Sequence, residues 1–313
     1  MGRRPGIIID VIIDFHCHIT TPSSRFPEPE GPYYRAIAPV NPATNLIGTM
    51  TQEAVDLLAE RWRSPRALKA YRNVAPVIFT EMSRRMITTD AAKLVGEMAA
   101  NGVSKAVVVA MDPFVPTVEV LQSCEHRQGL LLPFGSVDNH APDYLDRFQR
   151  LLSLPICGIK YHSDLQQIPL ESPRLHKMLA VLADSSKAHL PVYFHTGNFP
   201  IYRPLETPWE TALPKLVHEF PNLTLVCGHA GWDRPRAALK AALQLPNLYL
   251  ETSWQPPAAI RRLCDKIGPE RLLFGSDYPL FSQARALRNV RAALSDGEFE
   301  MVTWRNAAKL LRL

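Results

Sequence analysis

Two histidines separated by a single residue, His16 and His18, follow the chain's first apolar run, Ile7 to Ile13. In an extended strand residues i and i+2 point the same way. The spacing predicts two imidazoles projecting together from a strand's carboxyl end, with Cys17 facing away. Such a pair can hold one divalent ion. The other residues able to do chemistry sit in similar places. His195 ends PVYFH, His229 follows LVCG, Asp277 follows LLFGS, and Lys160 and His162 close GIKYH. His16, His18, His195 and Asp277 make a three-nitrogen, one-oxygen set. It suits Zn²⁺ or another borderline divalent metal and leaves a position for water. Water on such an ion loses its proton near pH 7. His229 beside the set would take that proton or polarise a substrate.

The elements that must position these residues alternate along the chain. Amphipathic spacing predicts helices over 89–101, 116–128, 143–152, 172–188, 208–219, 234–244, 257–267, 282–294 and 298–311. Short apolar runs between them predict strands at 105–111, 130–134, 156–161, 190–195, 223–227, 248–251 and 272–275. With the first run there are eight strands, each followed by a helix. That pattern implies parallel βαβ units closed into a (β/α)₈ barrel, one domain over 1–313. An open doubly wound sheet would want a Gly-rich phosphate turn after the first strand, and none is present. In a barrel the carboxyl ends of all strands meet on one face, so the candidate residues converge although they span the sequence. Residues 19–88 form a long insertion after strand one, proline-rich and basic around 60–72, and read as a cap over that face.

Bulk composition sets the limits. The chain has 313 residues, 46% hydrophobic and 21% charged, as expected of a soluble globular protein. No apolar run reaches membrane-spanning length, and the start lacks a signal-peptide cleavage pattern. The five cysteines form no C-x-x-C pair, so free thiols in a reducing cytoplasm are the expectation. The net charge of +5 is dispersed. It permits an anionic small-molecule substrate and gives no reason to expect nucleic acid.

The motifs D-F-H-C-H, G-I-K-Y-H, G-H-A-G-W and F-G-S-D-Y-P, with the closing Asn306-Ala-Ala-Lys-Leu-Leu, resemble the amidohydrolase superfamily. They are most similar to its "amidohydrolase 2" branch, the relatives of aminocarboxymuconate semialdehyde decarboxylase. The resemblance implies one metal per chain held by His16, His18, His195 and Asp277, with His229 and Asp277 catalytic. Lys160 matches a position that, carboxylated, bridges two metals in binuclear members; its other reading is a cation for a substrate carboxylate. The branch holds both hydrolases and decarboxylases. Because Lys160 occupies the superfamily's hydrolytic lysine position, the first expectation is a hydrolase attacking a lactone, amide or ester carbon. The alternative is a non-oxidative decarboxylase of an aromatic or unsaturated acid. A third reading, from another class, is a non-catalytic metal- or ligand-binding barrel, though no ligand is missing.

Several residues have plainer readings. His162 shares strand parity with Lys160 and either lines the pocket or is a loop residue. Trp254 and Trp232 either wall a pocket for a planar substrate or pack against the cap. Asp14 shares parity with His16 and is expected inside the barrel below the site. Glu251 is a pocket carboxylate or a rim hydrogen-bonding group. Arg61, Arg63 and Arg66 fit a solvated helix face better than an anion site. An exposed cap with several aromatics would suit a homodimer.

Overall fold

A computed structural model describes residues 11–25, 85–127, 129–197 and 205–313. Eight strands run in chain order: β1 (Ile13–Cys17), β2 (Lys105–Val109), β3 (Leu131–Gly135), β4 (Gly158–Tyr161), β5 (Val192–Phe194), β6 (Leu225–Cys227), β7 (Leu248–Glu251) and β8 (Leu272–Leu273). Each pairs in parallel with the next. This is the expected α/β barrel. Its inner layer includes Ile13, Phe15, Val107, Phe134, Tyr193 and Leu273. Side chains of opposite parity, such as Val108 and Ile159, join a second cluster with the surrounding helices. The barrel is therefore packed on both faces of its sheet, as parallel sheets require.

The helices begin and end where local chemistry dictates. In Ala91–Asn101, Asp90 accepts from Lys93 N at 2.8 Å, and Gly102 closes the helix at φ 69°. Glycine takes that left-handed conformation without steric cost. Ala91, Leu94 and Met98 form its buried stripe. Among the described residues, sequence spacing misses the short helix Ser163–Gln166, capped by His162, and the 3₁₀ turns Gly228–Gly231 and Pro269–Arg271. The predicted helix at 298–311 is divided, with a wider turn over Met301–Arg305.

Closure between β8 and β1 matters most for the site. Phe15 N donates to Phe274 O at 2.8 Å, Asp277 N to His16 O at 2.8 Å, and His18 N to Tyr278 O at 2.7 Å. These bonds lay the segment carrying His16 and His18 directly beside the one carrying Asp277.

The strand itself starts later than the apolar run suggests. Pairing with β2 begins at Ile13 opposite Lys105, and its register shifts between Asp14 and Cys17. Such a bulge re-aims side chains. Phe15 and His16 both face inward, Phe15 in the inner cluster and His16 against Tyr193, while Cys17 joins the outer layer. Parity fails for Asp14 for the same reason. It points away from the barrel interior and accepts from Ser276 N (2.8 Å), Ser276 Oγ (2.5 Å) and Gln283 Nε2 (2.8 Å). Asp14 thus ties β1 to the loop after β8. Burial pushes its carboxyl above the usual range, and these bonds oppose the shift.

Of the expected cap, only residues 19–25 and 85–88 are described; Arg61, Arg63 and Arg66 lie outside the described residues. No helix among the described residues is long and apolar enough to cross a membrane.

Replacing Asp14 by Ala leaves buried donors of Ser276 and Gln283 unpaired. It is expected to cost about 2–4 kcal/mol, since a hydrogen bond to a charged group is worth roughly 1.5–3 kcal/mol and each abandoned donor adds a desolvation cost. Urea unfolding of the parent and variant checks this.

Candidate metal centre

The seam between β1 and β8 sets the first distances. His18 Nε2 lies 2.9 Å from Asp277 Oδ1, and His16 Nε2 lies 3.5 Å from the same oxygen. Two ligands on one tetrahedral ion, with bonds near 2.0–2.2 Å, stand roughly 3.4 Å apart. These separations bracket that value. His229 joins the group: His16, His229 and Asp277 each offer a ligand atom within 4.8 Å of the others. All four side chains are buried.

The electrostatics suit a metal. Burial, then the charge of Lys160, holds His16 well below the usual histidine range. Burial lowers His18 too, although Asp277 opposes it. The histidines are neutral and keep lone pairs for coordination. His18 Nδ1 is buried with no hydrogen-bond partner among the described residues. Neutral imidazoles and one carboxylate are the donors that a borderline divalent ion prefers. The residues present therefore fit such an ion.

Lys160 enters from β4. Its Nζ lies 3.1 Å from His16 Nε2 and 4.0 Å from the Tyr193 ring centroid. Burial lowers its pKa to about 7, against the pull of Asp277 and Glu251. Among the described residues, no carboxylate pairs with it at ion-pair distance.

His195 ends β5 as expected but stands one contact further out. Its Nδ1 meets His229 Nε2 at 3.1 Å, and its Nε2 lies 3.8 Å from Asp164 Oδ2. His162 stacks on it, with centroids 3.8 Å apart and planes 12° from parallel. His162, Asp164 and His195 also offer ligand atoms within 4.8 Å of one another. Lone pairs of imidazoles lie in the ring planes, so two stacked rings aim past, not at, one shared ion. The stack is better suited to fixing His195. The cluster with His16 and Asp277 admits His229 as a fourth ligand, and His195, 3.1 Å from His229, is the other candidate.

Below these residues lies a polar layer only partly visible in the sequence. Glu251 Oε2 accepts from Tyr193 OH (2.5 Å), Ser253 Oγ (2.8 Å) and His229 N (3.0 Å). Tyr193 also meets His16 Nδ1 at 2.8 Å, and Ser253 meets His229 Nδ1 at 2.7 Å. Burial raises Glu251 to about 7, and its donors oppose the shift. Sequence reasoning passed over Tyr193 and Asp164. The parity of Tyr193 with His195 is a signal that was there to read. Trp254 is buried, and its indole N–H donates to Asp277 Oδ2 at 2.7 Å. It orients the carboxylate.

His229, Trp254 and Asp277 all adopt left-handed backbone, at φ 54°, 62° and 62°. Each such residue costs of the order of 1–3 kcal/mol, and such strain clusters at functional sites.

Eight parallel strands carrying histidines, a lysine and an aspartate at their carboxyl ends define a metal-dependent barrel enzyme. The chain belongs to the amidohydrolase family, whose model matches residues 13–313. Among solved structures, an uncharacterised TIM-barrel protein from Bordetella bronchiseptica is 18% identical at TM-score 0.66, covering 96% of this chain and 98% of that one. A 5-carboxyvanillate decarboxylase from Sphingomonas paucimobilis is 17% identical at 0.64, covering 97% and 99%. A probable 2-pyrone-4,6-dicarboxylic acid hydrolase from Acinetobacter baumannii is 13% identical at 0.58, covering 96% and 99%. Likeness at these identities shows the fold. No curated protein sequence matches the chain.

Elemental analysis after dialysis tests the ligand set. His16→Ala and His18→Ala are expected to weaken metal binding by more than the roughly 10- to 100-fold that outer-sphere partners contribute. His162→Ala is expected to retain the parent's metal. Comparing His195→Ala with His229→Ala identifies the fourth ligand.

Proposed function

We propose that this protein is a metal-dependent, non-oxidative decarboxylase of a small aromatic carboxylic acid. The observation that carries the reading is Lys160. A buried amine beside the proposed ligands, with no carboxylate of its own among the described residues, offers a seat for a substrate carboxylate. The structural neighbours support the same chemistry. A 5-carboxyvanillate decarboxylase from Novosphingobium aromaticivorans, 17% identical, was solved with manganese and a methoxy-hydroxy-nitrobenzoic acid. A 2,6-dihydroxybenzoate decarboxylase, 14% identical, was solved with 2,6-dihydroxybenzoate. This reverses the order expected from the sequence, which favoured hydrolysis.

In this reading His16, His18 and Asp277 hold a divalent ion, Zn²⁺ or Mn²⁺, with His195 as the fourth ligand. When bound, the ion orients the substrate's oxygens and withdraws electron density from the ring. Lys160 holds the carboxylate. The protein must then deliver a proton to the ring carbon that bears it. The carbon–carbon bond breaks, its electron pair stays on the ring carbon and takes up that proton, and CO₂ leaves. His229 is the proposed proton carrier, in contact with His195 for resupply. Trp254 keeps Asp277 turned to the site. The burial of these groups excludes bulk water from the reacting carbon.

Incubation with ortho-hydroxybenzoates in D₂O tests this. The expected result is metal-dependent CO₂ release with one deuterium on the former carboxyl carbon, and a KM raised at least about tenfold by Lys160→Met, the effect of losing one charge-assisted contact of about 1.4 kcal/mol. Oxygen-18 from solvent in the product of a carboxylated lactone, without CO₂, would overturn it in favour of hydrolysis.

A further inference from the structure

Hydrogens in the layer beneath the site can be assigned by counting donors. Tyr193 has one hydroxyl proton and two neighbours that could receive it: Glu251 Oε2 at 2.5 Å and His16 Nδ1 at 2.8 Å. If the proton went to His16, the phenol oxygen and the Glu251 carboxylate would meet lone pair to lone pair at the shorter distance. Tyr193 therefore donates to Glu251 and accepts from His16, which must carry its proton on Nδ1.

The same count applies to Ser253. Its single proton goes to Glu251 Oε2 at 2.8 Å, because both Glu251 oxygens already accept backbone N–H groups, from His229 and Ser253, an arrangement that holds the carboxylate ionised. Its oxygen is then an acceptor for His229 at 2.7 Å, so His229 also carries its proton on Nδ1. The bare Nε2 of His229 accepts from His195 Nδ1 at 3.1 Å. His195 is left with Nε2 as its lone-pair nitrogen. The backbone N–H groups of His229 and Ser253 also donate to Glu251. The carboxylate thus accepts from four donors and gives nothing back.

We propose that Glu251 is a positioning residue that sets the tautomers of His16 and His229 together, through Tyr193 and Ser253. One carboxylate would present both Nε2 lone pairs upward, one to the proposed metal position and one to the proposed proton path. Carboxylates and carbonyls that fix a ligand histidine's tautomer are common in metal sites. What is particular here is one carboxylate acting on a ligand and on the proton carrier through two separate hydroxyls. The space is built for it: a Cβ added at Gly275 would collide with the Glu251 side chain. The inference rests on the proposed site only for what the two histidines do, not for how they are protonated.

Long-range proton–nitrogen NMR on protein labelled with ¹⁵N-histidine tests it, in the zinc-loaded and the chelated forms. Signals are assigned by their loss in His16→Gln and His229→Gln. In the parent, both residues are expected as Nδ1–H tautomers. Ser253→Ala should move the proton of His229 towards Nε2 and leave His16 unchanged in the chelated protein. Tyr193→Phe should do the reverse, and Glu251→Gln should disturb both. Unchanged tautomers in all three variants would overturn the proposal. So would a shift of both histidines in each hydroxyl variant, which would mean general loosening. If Glu251→Gln does not fold, the two hydroxyl variants still decide, since each cuts one arm. A protein with these tautomers but no CO₂ release would count against the decarboxylase reading alone.

Discussion

The backbone hydrogen bonds that join β1 to β8 are the constraint on which the site depends. They pair segments about 260 residues apart, Asp277 N with His16 O and His18 N with Tyr278 O. No local interaction could bring His16, His18 and Asp277 within a few ångströms. Asp14 reinforces the closure from outside the barrel, holding Ser276 immediately before Asp277. The same seam therefore closes the barrel and assembles the proposed metal ligands, so stability and site geometry share their most important contacts.

Around the seam, order is maintained at some cost. His229, Trp254 and Asp277 occupy left-handed backbone, and a buried lysine and a buried glutamate stand within a few ångströms of the histidines. These groups are kept in place by satisfied hydrogen bonds. Trp254 holds Asp277, Gln255 Nε2 donates to His229 O at 2.6 Å, and Glu251 collects four donors. A connected buried polar network makes a rigid base. Here that base lies under the face where all strands end, as in other barrel enzymes.

Much of this was legible in the sequence. Strand ends marked by His16, His195, His229 and Asp277 could be read because barrel topology turns chain order into spatial order. The fold and family followed from those positions. What could not be read was local. The bulge at Asp14–Cys17 breaks the two-residue period, turning His16 inward beside Phe15 and sending Asp14 out towards Gln283. Only strand pairing shows that. Tyr193 and Ser253 were hidden for another reason: a tyrosine in a β-rich run and a serine beside a tryptophan look like packing until their partners are known. The choice between bond cleavage and hydrolysis was beyond the motif, because both chemistries use the same ligands.

Closure of β8 on β1 is proposed to build a metal site from His16, His18 and Asp277. An anomalous-difference electron-density map from a crystal loaded with Mn²⁺ or Zn²⁺ tests it most directly. One strong peak is expected within coordination distance, about 2.0–2.2 Å, of His16, His18 and Asp277. A peak seated instead among His162, Asp164 and His195, or no peak at the seam in a crystal whose protein binds the metal in solution, would contradict it.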